Sequence, residues 1–472
     1  MKKQPNIVVY FTDQQRFDTL GCYGQELNIS PVLDEVANDG VLFENAFTSQ
    51  PVCGPARACL QTGRYPTETG CYVNGIGLDY NEVTIAKELG KAGYETAYVG
   101  KWHLASDFIK GIHYEITYMP LERLGGYRNY VVSCDTNELC SHGYDGYLYD
   151  CVNNKKLEFI GYRVDHVTDF AVHYLQNKTS DNPFFLFISH LEPHHQNDHD
   201  RFEGPDGSKE RFKDYKVPRD LLNGKYEGDW KENYPDYLGA CRSIDDNLGK
   251  LIRTLKEKGL YGDTVIIFAS DHGCHFRTQD GEYKRNFYDS CLRIPLVISG
   301  GEFKGGERSN RMVSLINLPA TILQIAGVKV PKEMRYPPLQ NALSNKNWKD
   351  TVFYQISESF VGRGIRTPKW KYCVHATHLQ DEIGGVGHEW SLEKYYEMVS
   401  KSRKNSDSYV ELALHDLEND PFEKRNLVNE PAYAEIRSEM AKKLIELMVE
   451  AREDPPKIYP AGTVLKSKDT GL

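Results

Sequence analysis

Four short apolar segments, three of which are followed at once by polar side chains, constrain the fold of this chain more than any other feature. They occupy positions 6–12, 183–189, 264–269 and 294–299. Continuous apolar runs of this kind are typical of strands buried on both faces of a parallel sheet. Segments with helical periodicity lie between them, among them 165–176 and a long one from Tyr234. The alternation predicts an α/β fold, in which helices cover both faces of a large, mostly parallel sheet.

The pattern changes after about position 345, where the predicted strands become shorter. They are expected at 352–356, 364–365, 370–374 and 409–414, with a terminal helix at 431–451. We therefore predict an α/β domain at 1–345 and a smaller α+β subdomain, with a terminal tail, at 346–472. Two stretches of the first unit, about 104–163 and 196–233, are interpreted as insertions.

Composition and charge exclude several classes of function. The 472 residues include 57 Lys and Arg against 67 Asp and Glu, a formal net charge of −10, which argues against a nucleic-acid partner. No stretch approaches the roughly 20 apolar residues of a membrane span. The eleven cysteines form no CxxC pair, and no apolar signal segment follows Met1. We expect a cytoplasmic protein, or a periplasmic or secreted one if a signal peptide has been removed.

The stretch 51–66 places a cysteine at the predicted start of a helix. Gly54 and Pro55 follow Cys53, and Arg57 comes one helical turn later. A side chain at a helix N-terminus lies at the positive end of the helix dipole, which favours an anionic ligand or nucleophile. Arg57 can direct its guanidinium to the same place. The alternative interpretation is a buried cysteine that serves only in packing.

Polar clusters also stand where predicted strands end. These clusters are Asp13-Gln14, Lys101-Trp102-His103, Glu192-Pro193-His194 and Ser270-Asp271-His272-Gly273. Open α/β sheets bind their ligands at the carboxyl ends of the strands, so these residues are candidates for a functional site. The neighbouring His190, His195 and His199 are interpreted as structural or solvent-exposed, because a His-rich loop need not be catalytic.

Cys53-x-Pro55-x-Arg57, followed by Thr62-Gly63-Arg64, closely resembles the signature of the type I sulfatases of the alkaline phosphatase superfamily. The four clusters occur in the order expected for that family, and the resemblance extends over roughly residues 6–426. A further match is the spacing of Lys284, Tyr288, Asp289, Arg293 and Pro295. A single motif of this kind would be weak evidence, but the ordered set is strong evidence.

The resemblance implies a sulfuric ester hydrolase in which a maturation enzyme oxidises Cys53 to formylglycine (3-oxoalanine). The aldehyde is hydrated to a diol, one hydroxyl of which attacks sulfur while the other later re-forms the aldehyde and expels sulfate. Arg57 would hold the diol, and Lys101 and Lys284 would hold sulfate oxygens. His103 would act as the base and His194 as the acid for the departing alcohol.

The resemblance also implies a divalent metal held by Asp13, Gln14, Asp271 and His272, most simply Ca²⁺, with Mg²⁺ or Mn²⁺ as alternatives. Two of these positions depart from the common family pattern. Gln14 stands where many members have a second Asp, and His272 where many have Asn. Each change replaces a hard or anionic oxygen ligand.

A sulfated carbohydrate is the expected substrate, by analogy with the family. The candidate substrate-binding residues are His275, Arg277, Arg363, Arg366 and Trp370. Aryl sulfatases of phenolic or steroid sulfates, phosphonate monoester or phosphodiester hydrolases, and an inactive binder of sulfated glycans remain alternatives. The Lys101-x-His103 pair favours sulfate over phosphonate by the same resemblance.

Overall fold

The computed structural model describes residues 4–344, 347–376 and 392–465. These residues form an eleven-stranded sheet and a five-stranded sheet. The domain boundary predicted at 345/346 and the end of the predicted tail lie outside the described residues.

The large sheet has the strand order β11-β2-β10-β8-β1-β7-β3-β4-β5-β6, and β9 pairs with β2. Its strands are β1 Asn6–Thr12, β2 Val41–Phe47, β3 Glu95–Lys101, β4 Tyr130–Cys134, β5 Asp145–Asp150, β6 Lys155–Ile160, β7 Phe184–Ser189, β8 Thr264–Ser270, β9 Arg293–Ile294, β10 Leu296–Ser299 and β11 Glu307–Ser314. The central run β8-β1-β7-β3-β4 is parallel, whereas β10 and the outer strands β5 and β6 pair antiparallel.

Three of the four apolar segments predicted as strands are neighbours at the centre of this sheet. All seven residues of β1 are buried, as are all residues of β7 and β8 on its two sides. The fourth segment differs from the prediction because Pro295 interrupts it, leaving the two-residue β9 and the four-residue β10. Proline has no N–H group to donate to a strand ladder, so pairing stops there.

Helices cover both faces of the large sheet, and β1 shows how its side chains divide between them. Ile7, Val9 and Phe11 face one core, while Val8 and Tyr10 face the other. The helices are α1 Pro31–Asp39, α2 Cys53–Thr62, α3 Pro66–Thr69, α4 Ile85–Lys91, α5 Asn137–Cys140, α6 Arg163–Asn177, α7 Ser208–Arg211, α8 Arg219–Leu222, α9 Trp230–Glu257, α10 Asp289–Leu292, α11 Leu318–Ile325, α12 Leu339–Leu343, α13 Leu392–Lys401 and α14 Ala434–Glu450.

The two cores use different helices. The first core includes residues of α2, α4 and α11, and the second includes residues of α1, α6 and α9. Helix α2 is buried along its whole length, so the cysteine at its start is fixed against the sheet. No helix in the described ranges is long and apolar enough to cross a membrane.

The stretch 104–163, interpreted from sequence as a surface insertion, contributes β4, β5 and β6 to the large sheet. Its weak periodicity has a structural reason, since β4 is largely buried whereas β5 and β6 are mostly exposed or half-buried at the sheet edge. The stretch 196–233 holds the short helices α7 and α8 and the start of α9.

The smaller sheet follows the order β12-β13-β14-β15-β16. Its strands are β12 Val352–Ile356, β13 Gly362–Arg366, β14 Trp370–His375, β15 Ser408–Asp416 and β16 Lys457–Tyr459. Helix α14 packs Met440, Leu444 and Met448 into the core of this sheet. The antiparallel strands and the terminal helix correspond to the elements predicted from sequence after position 345.

Candidate active site

Cys53 is the first residue of α2, with Val52 as its N-cap, and it is 1% exposed. Three polar groups contact its sulfur. The Sγ atom lies 2.9 Å from Lys284 Nζ, 3.3 Å from His272 Nε2 and 3.4 Å from Asp13 Oδ1. The helix N-terminus and the Lys284 ammonium group together make a site where negative charge on residue 53 is stabilised.

The electrostatic environment of Cys53 acts on its ionisation. Burial opposes the thiolate, but the charges of Lys101, Lys284 and His272 and the nearby His103 lower the pKa of Cys53 well below its usual value. If the residue is converted to formylglycine, the sulfur marks the place of one oxygen of the hydrated aldehyde. The same charges would then favour ionisation of that oxygen.

Arg57 lies one turn along α2 and is held between two carboxylates. Its Nη2 atom donates to Asp13 Oδ2 at 3.0 Å and to Asp271 Oδ2 at 3.2 Å, and its Nη1 donates to Ser189 Oγ at 2.7 Å. These carboxylates, together with Cys53, raise the pKa of Arg57 although burial acts against the charge. Arg57 therefore fixes the carboxylates that face Cys53, a contact that sequence reasoning did not anticipate.

The predicted metal ligands converge beside Cys53, because β1 and β8 are adjacent and their ends are level. Ligand atoms of Asp13, Asp271, His272 and Cys53 lie within 4.8 Å of one another, and all four residues are buried. His272 Nδ1 lies 2.9 Å from the Gly273 carbonyl oxygen, which it meets as a donor, so Nε2 is left free to bind a cation.

Two observations test whether this group fits a divalent cation. The Gln14 Oε1 atom is buried and has no hydrogen-bond partner in the described part of the chain. Burial and the neighbouring charge of Asp13 raise the pKa of Asp271 to about 6. A divalent cation would relieve this repulsion and occupy the free oxygen, so the donor set of three oxygens and one imidazole nitrogen fits such an ion.

Lys101 stands at the end of β3 and pairs with two carboxylates. Its Nζ atom is 2.9 Å from Asp13 Oδ2 and 3.0 Å from Glu138 Oε1. Glu138, from α5, was not singled out from the sequence, since its segment was interpreted as an insertion. Against the effect of burial, Lys101 and His103 lower the pKa of Glu138 to about 2, so it is a carboxylate at neutral pH.

His194 and Lys284 complete the far side of the site. Lys284 Nζ lies 2.9 Å from His194 Nε2, and His194 Nδ1 lies 2.6 Å from the His195 carbonyl oxygen. The proton of a neutral His194 is therefore on Nδ1. Burial and the charge of Lys284 lower the pKa of His194, which keeps this imidazole neutral.

Strained backbone conformations occur at two of these positions. Gln14 has φ of 67° and His103 has φ of 62°, in the left-handed region that residues with a Cβ atom seldom adopt. Such strain persists only where the surroundings enforce it, and it is concentrated at functional sites. Each lies two positions beyond the end of a central strand, Gln14 after β1 and His103 after β3.

A cavity of about 110 Å³ opens above Cys53. Carboxylates supply much of its polar lining, namely Glu115, Asp135, Glu138 and Glu282. Asn74, Arg285 and Tyr395 also contribute to its wall. Tyr395 belongs to α13, which lies beyond β14 in the chain, so the C-terminal part of the chain reaches the pocket through this helix.

The five predicted substrate-binding residues do not line this cavity, and each is engaged elsewhere. Arg363 is fully buried and pairs with Glu453 at 2.8 Å, and Arg366 pairs with Asp289 at 3.4 Å. Trp370 packs against Tyr433. These three belong to the smaller sheet and its contacts rather than to the pocket.

The remaining two candidates follow β8. His275 is buried, with Nε2 at 3.5 Å from Asp280 Oδ1. Arg277 pairs with Asp200 and covers the ring of Tyr283 at 4.4 Å from its centroid. They follow the predicted metal ligands in the chain, but neither lines the cavity at Cys53. The carboxylates of the cavity carried no motif by which sequence reasoning could find them.

Comparison with known proteins agrees with this geometry. The family model "Sulfatase" matches residues 5–328, and the model "N-sulphoglucosamine sulphohydrolase, C-terminal" matches residues 280–383. An N-acetylglucosamine-6-O-sulfatase of Bacteroides thetaiotaomicron is 25% identical, the alignment covering 96% of this chain and 88% of that protein. An ulvan-active sulfatase of Formosa agariphila is 26% identical, over 95% of this chain and 80% of that protein.

A solved structure shares the fold. It is a protein in complex with its substrate D-glucosamine-2-N,6-O-disulfate, with a TM-score of 0.72 and 23% identity over 96% of this chain and 99% of the other. The first family model spans more than half of the chain and includes every residue that contacts Cys53. This chain belongs to the sulfatase family.

Proposed function

We propose that this protein hydrolyses a sulfate ester of a saccharide, with Cys53 converted to formylglycine and a divalent cation bound beside it. The observation that carries the proposal is the environment of residue 53 at the start of α2. Lys284 contacts its side chain, His194 contacts Lys284, and Lys101 pairs with Asp13, which also contacts residue 53. The two ammonium groups supply positive charge for the oxygens of a sulfate, on which negative charge grows in the transition state.

Hydrated formylglycine supplies two hydroxyls on one carbon, so one can attack sulfur and the other can later release sulfate. The protein's own groups prepare that position. Asp13 is held ionised because Lys101 and Lys284 keep its pKa well below the usual range despite burial. His103 lines the same cavity as residue 53 and is proposed to remove a proton there.

His194 is proposed to protonate the departing alcohol. With Lys284 Nζ at 2.9 Å, its Nε2 atom carries no proton in the free enzyme. A sulfate ester brings negative charge next to Lys284, which raises the pKa of His194 toward the range in which it donates a proton. Binding of the substrate thereby prepares the acid.

Asp13, Gln14, Asp271 and His272 are proposed to hold Ca²⁺, with Mg²⁺ or Mn²⁺ as alternatives. Oxygen donors favour these hard cations, and the imidazole of His272 moves the preference toward Mn²⁺. A cation bound there would favour ionisation of the nucleophilic hydroxyl and polarise a sulfate oxygen.

The substrate is proposed to be a sulfated hexosamine. The carboxylates Glu115, Glu138 and Glu282 line the cavity beyond the sulfate position. They can accept hydrogen bonds from hydroxyl and amide groups but repel the carboxylate of a uronic acid. The named activity of the Bacteroides relative and the glucosamine ligand of the structural neighbour agree with this choice.

A substrate panel tests the proposal on protein produced with a maturation enzyme. Mass analysis of the peptide with residue 53 should show conversion of the thiol to the aldehyde. Sulfated glucosamines should then be hydrolysed faster than an aryl sulfate, a sulfated uronic acid or a phosphonate monoester. Preference for the phosphonate would refute sulfatase function. Preference for the sulfated uronic acid would refute only the proposed identity of the sugar and would leave sulfatase function standing.

A further inference from the structure

A second group of metal-ligating side chains lies outside the active site, on the surface. His142, Asp198 and His199 each offer one ligand atom, and these atoms lie within 4.8 Å of one another. The two imidazole rings stack with centroids 4.6 Å apart and planes inclined by 9°. His142 Nε2 is 2.9 Å from Asp198 Oδ2. Two imidazoles and a carboxylate leave one position of a tetrahedron open for water.

Each of the three side chains also contacts a second polar group. Glu203 Oε1 lies 2.6 Å from His199 Nδ1, which leaves Nε2 of that ring free. Asp145 Oδ1 lies 3.4 Å from His142 Nδ1, and Gln196 Nε2 donates to Asp198 Oδ1 at 2.8 Å. Carboxylates on the far nitrogen of ligating histidines are the usual supports of a metal site.

We propose that His142, Asp198 and His199 form a binding site for a transition-metal ion, with Zn²⁺ as the ion best matched to its donors. Imidazole nitrogens suit zinc, whereas Ca²⁺ and Mg²⁺ prefer oxygen ligands alone. Zinc bonds of about 2.0–2.2 Å place ligand atoms roughly 3.5 Å apart. Side-chain rotation can close the present distances, because the side chains of His142, Asp198 and His199 are 42%, 50% and 37% exposed.

The site joins two segments that also build the active-site pocket. His142 follows α5, which carries Glu138, and Asp198 follows His194 in the loop after β7. Protein contacts already connect the two segments. Glu203 Oε2 accepts from the Gly143 amide at 3.0 Å, and Gln196 Nε2 donates to the Glu138 carbonyl at 3.0 Å. A bound ion would hold both segments in one arrangement, so it stabilises the pocket without touching the substrate.

The test uses the whole protein. Saturating Ca²⁺ first fills the predicted cation site near Cys53, which is formed by Asp13, Gln14, Asp271 and His272. The protein is then titrated with Zn²⁺, or with Co²⁺ as a coloured probe. Wild type should bind one equivalent, develop the visible absorption of tetrahedral Co²⁺ and melt at a higher temperature with Zn²⁺. His142→Ala and His199→Ala should lose all three signals while keeping their turnover in Ca²⁺. Glu203→Gln should bind Zn²⁺ about 10–100-fold more weakly, as expected for loss of a supporting partner.

Asp271→Asn is the matched control, because it alters only the predicted cation site near Cys53. It should keep the Co²⁺ absorption in full. The proposal is overturned if Asp271→Asn removes the absorption, or if His142→Ala binds Zn²⁺ as wild type does. It is also overturned if wild type binds no Zn²⁺ in the presence of Ca²⁺. An alanine variant whose metal-free form melts at a lower temperature than wild type would not separate loss of the metal from loss of stability. In that case Asp198→Asn, which changes one exposed atom, is measured in its place and should also lose the Co²⁺ absorption.

Discussion

At the scale of single residues, the active site is organised by charge pairs that leave little freedom. Lys101 binds Asp13 on one side and Glu138 on the other, and Arg57 binds Asp13 and Asp271. The Glu138 Oε2 atom is buried and has no hydrogen-bond partner among the described residues. Lys101 therefore contacts both the predicted cation site, through Asp13, and the pocket lining, through Glu138. The charge of Glu138 repels any anion that approaches Lys101.

Glu138→Gln should strengthen the binding of inorganic sulfate. The amide keeps the shape of the side chain but removes a negative charge 3.0 Å from Lys101 Nζ. We expect the inhibition constant of sulfate to fall roughly tenfold, because the competing carboxylate is gone. Competitive inhibition of the matured enzyme measures this. Glu122→Gln, a change at the surface, is the control, and an unchanged inhibition constant in Glu138→Gln would contradict the assignment.

His190 gives a second prediction at this scale, on stability in acid. It is fully buried against Tyr10, with ring centroids 4.8 Å apart, and burial lowers its pKa to about 3. Below pH 6.5 the unfolded chain takes up a proton that the folded His190 does not. The free energy of unfolding should therefore fall by up to about 1.4 kcal/mol per pH unit between pH 6.5 and 3.

His190→Leu should remove that part of the slope, since leucine takes up no proton. Urea unfolding of both proteins at a series of pH values measures the difference. Parallel pH curves for wild type and His190→Leu would show that His190 does not contribute in this way. His173→Leu, a change at an exposed position of α6, supplies the comparison.

At the scale of elements, the close pairing of β3 and β7 sets the distance between Lys101 and the rest of the site. Gly100 has φ of 103°, and a Cβ atom there would lie 2.0 Å from the Ser189 carbonyl oxygen. The strand can approach its neighbour only because this residue lacks a side chain.

Gly100→Ala should destabilise the fold by more than about 2 kcal/mol, because both the backbone conformation and the contact become unfavourable. Gly90→Ala is a control of opposite sign. Gly90 is exposed in α4 and its added Cβ would meet only Thr96 at 3.9 Å, so alanine should stabilise the helix by up to about 1 kcal/mol. Thermal melting separates the two, and equal shifts would refute the steric account.

At the scale of the whole molecule, the smaller sheet supports the pocket rather than contributing arginines to it. Arg363 Nε donates to both oxygens of Glu453, at 2.8 and 2.9 Å, inside the core between β13 and the residues after α14. Glu358, just after β12, pairs with Arg285 in the pocket wall at 2.5 Å. The unit reaches the active site through Glu358 and Tyr395.

Glu453→Ala should destabilise the protein by about 3–5 kcal/mol, because it leaves the charge of Arg363 buried and unpaired. The double variant Arg363→Met/Glu453→Met should recover much of that loss. Below their melting temperatures both should retain the KM of wild type, since neither residue lines the cavity. If the fully folded double variant had a higher KM than wild type, Arg363 would have to contact the substrate after all.

Local sequence patterns were enough to predict the central strands, the helices that separate them and the polar residues at the strand ends. These are local properties, since apolar runs of strand length and helical periodicity have a fixed physical meaning along the chain. The motif around Cys53 and the order of Asp13, Lys101, His194 and Asp271 likewise indicated the family before any contact was known. The antiparallel direction of β10 could not be predicted from these patterns, although Pro295 marks where the predicted strand is interrupted.

The other residues around Cys53 could be identified only from the packing of segments that are distant in the chain. Glu138, Glu115 and Tyr395 come from segments whose sequences carry no motif, and they meet at the cavity because the sheet order brings their ends together. Arg363 and Arg366 carried the expected chemistry but are directed to carboxylates of their own subdomain. A residue's type limits the interactions it can make, and the packing of distant segments selects one of them.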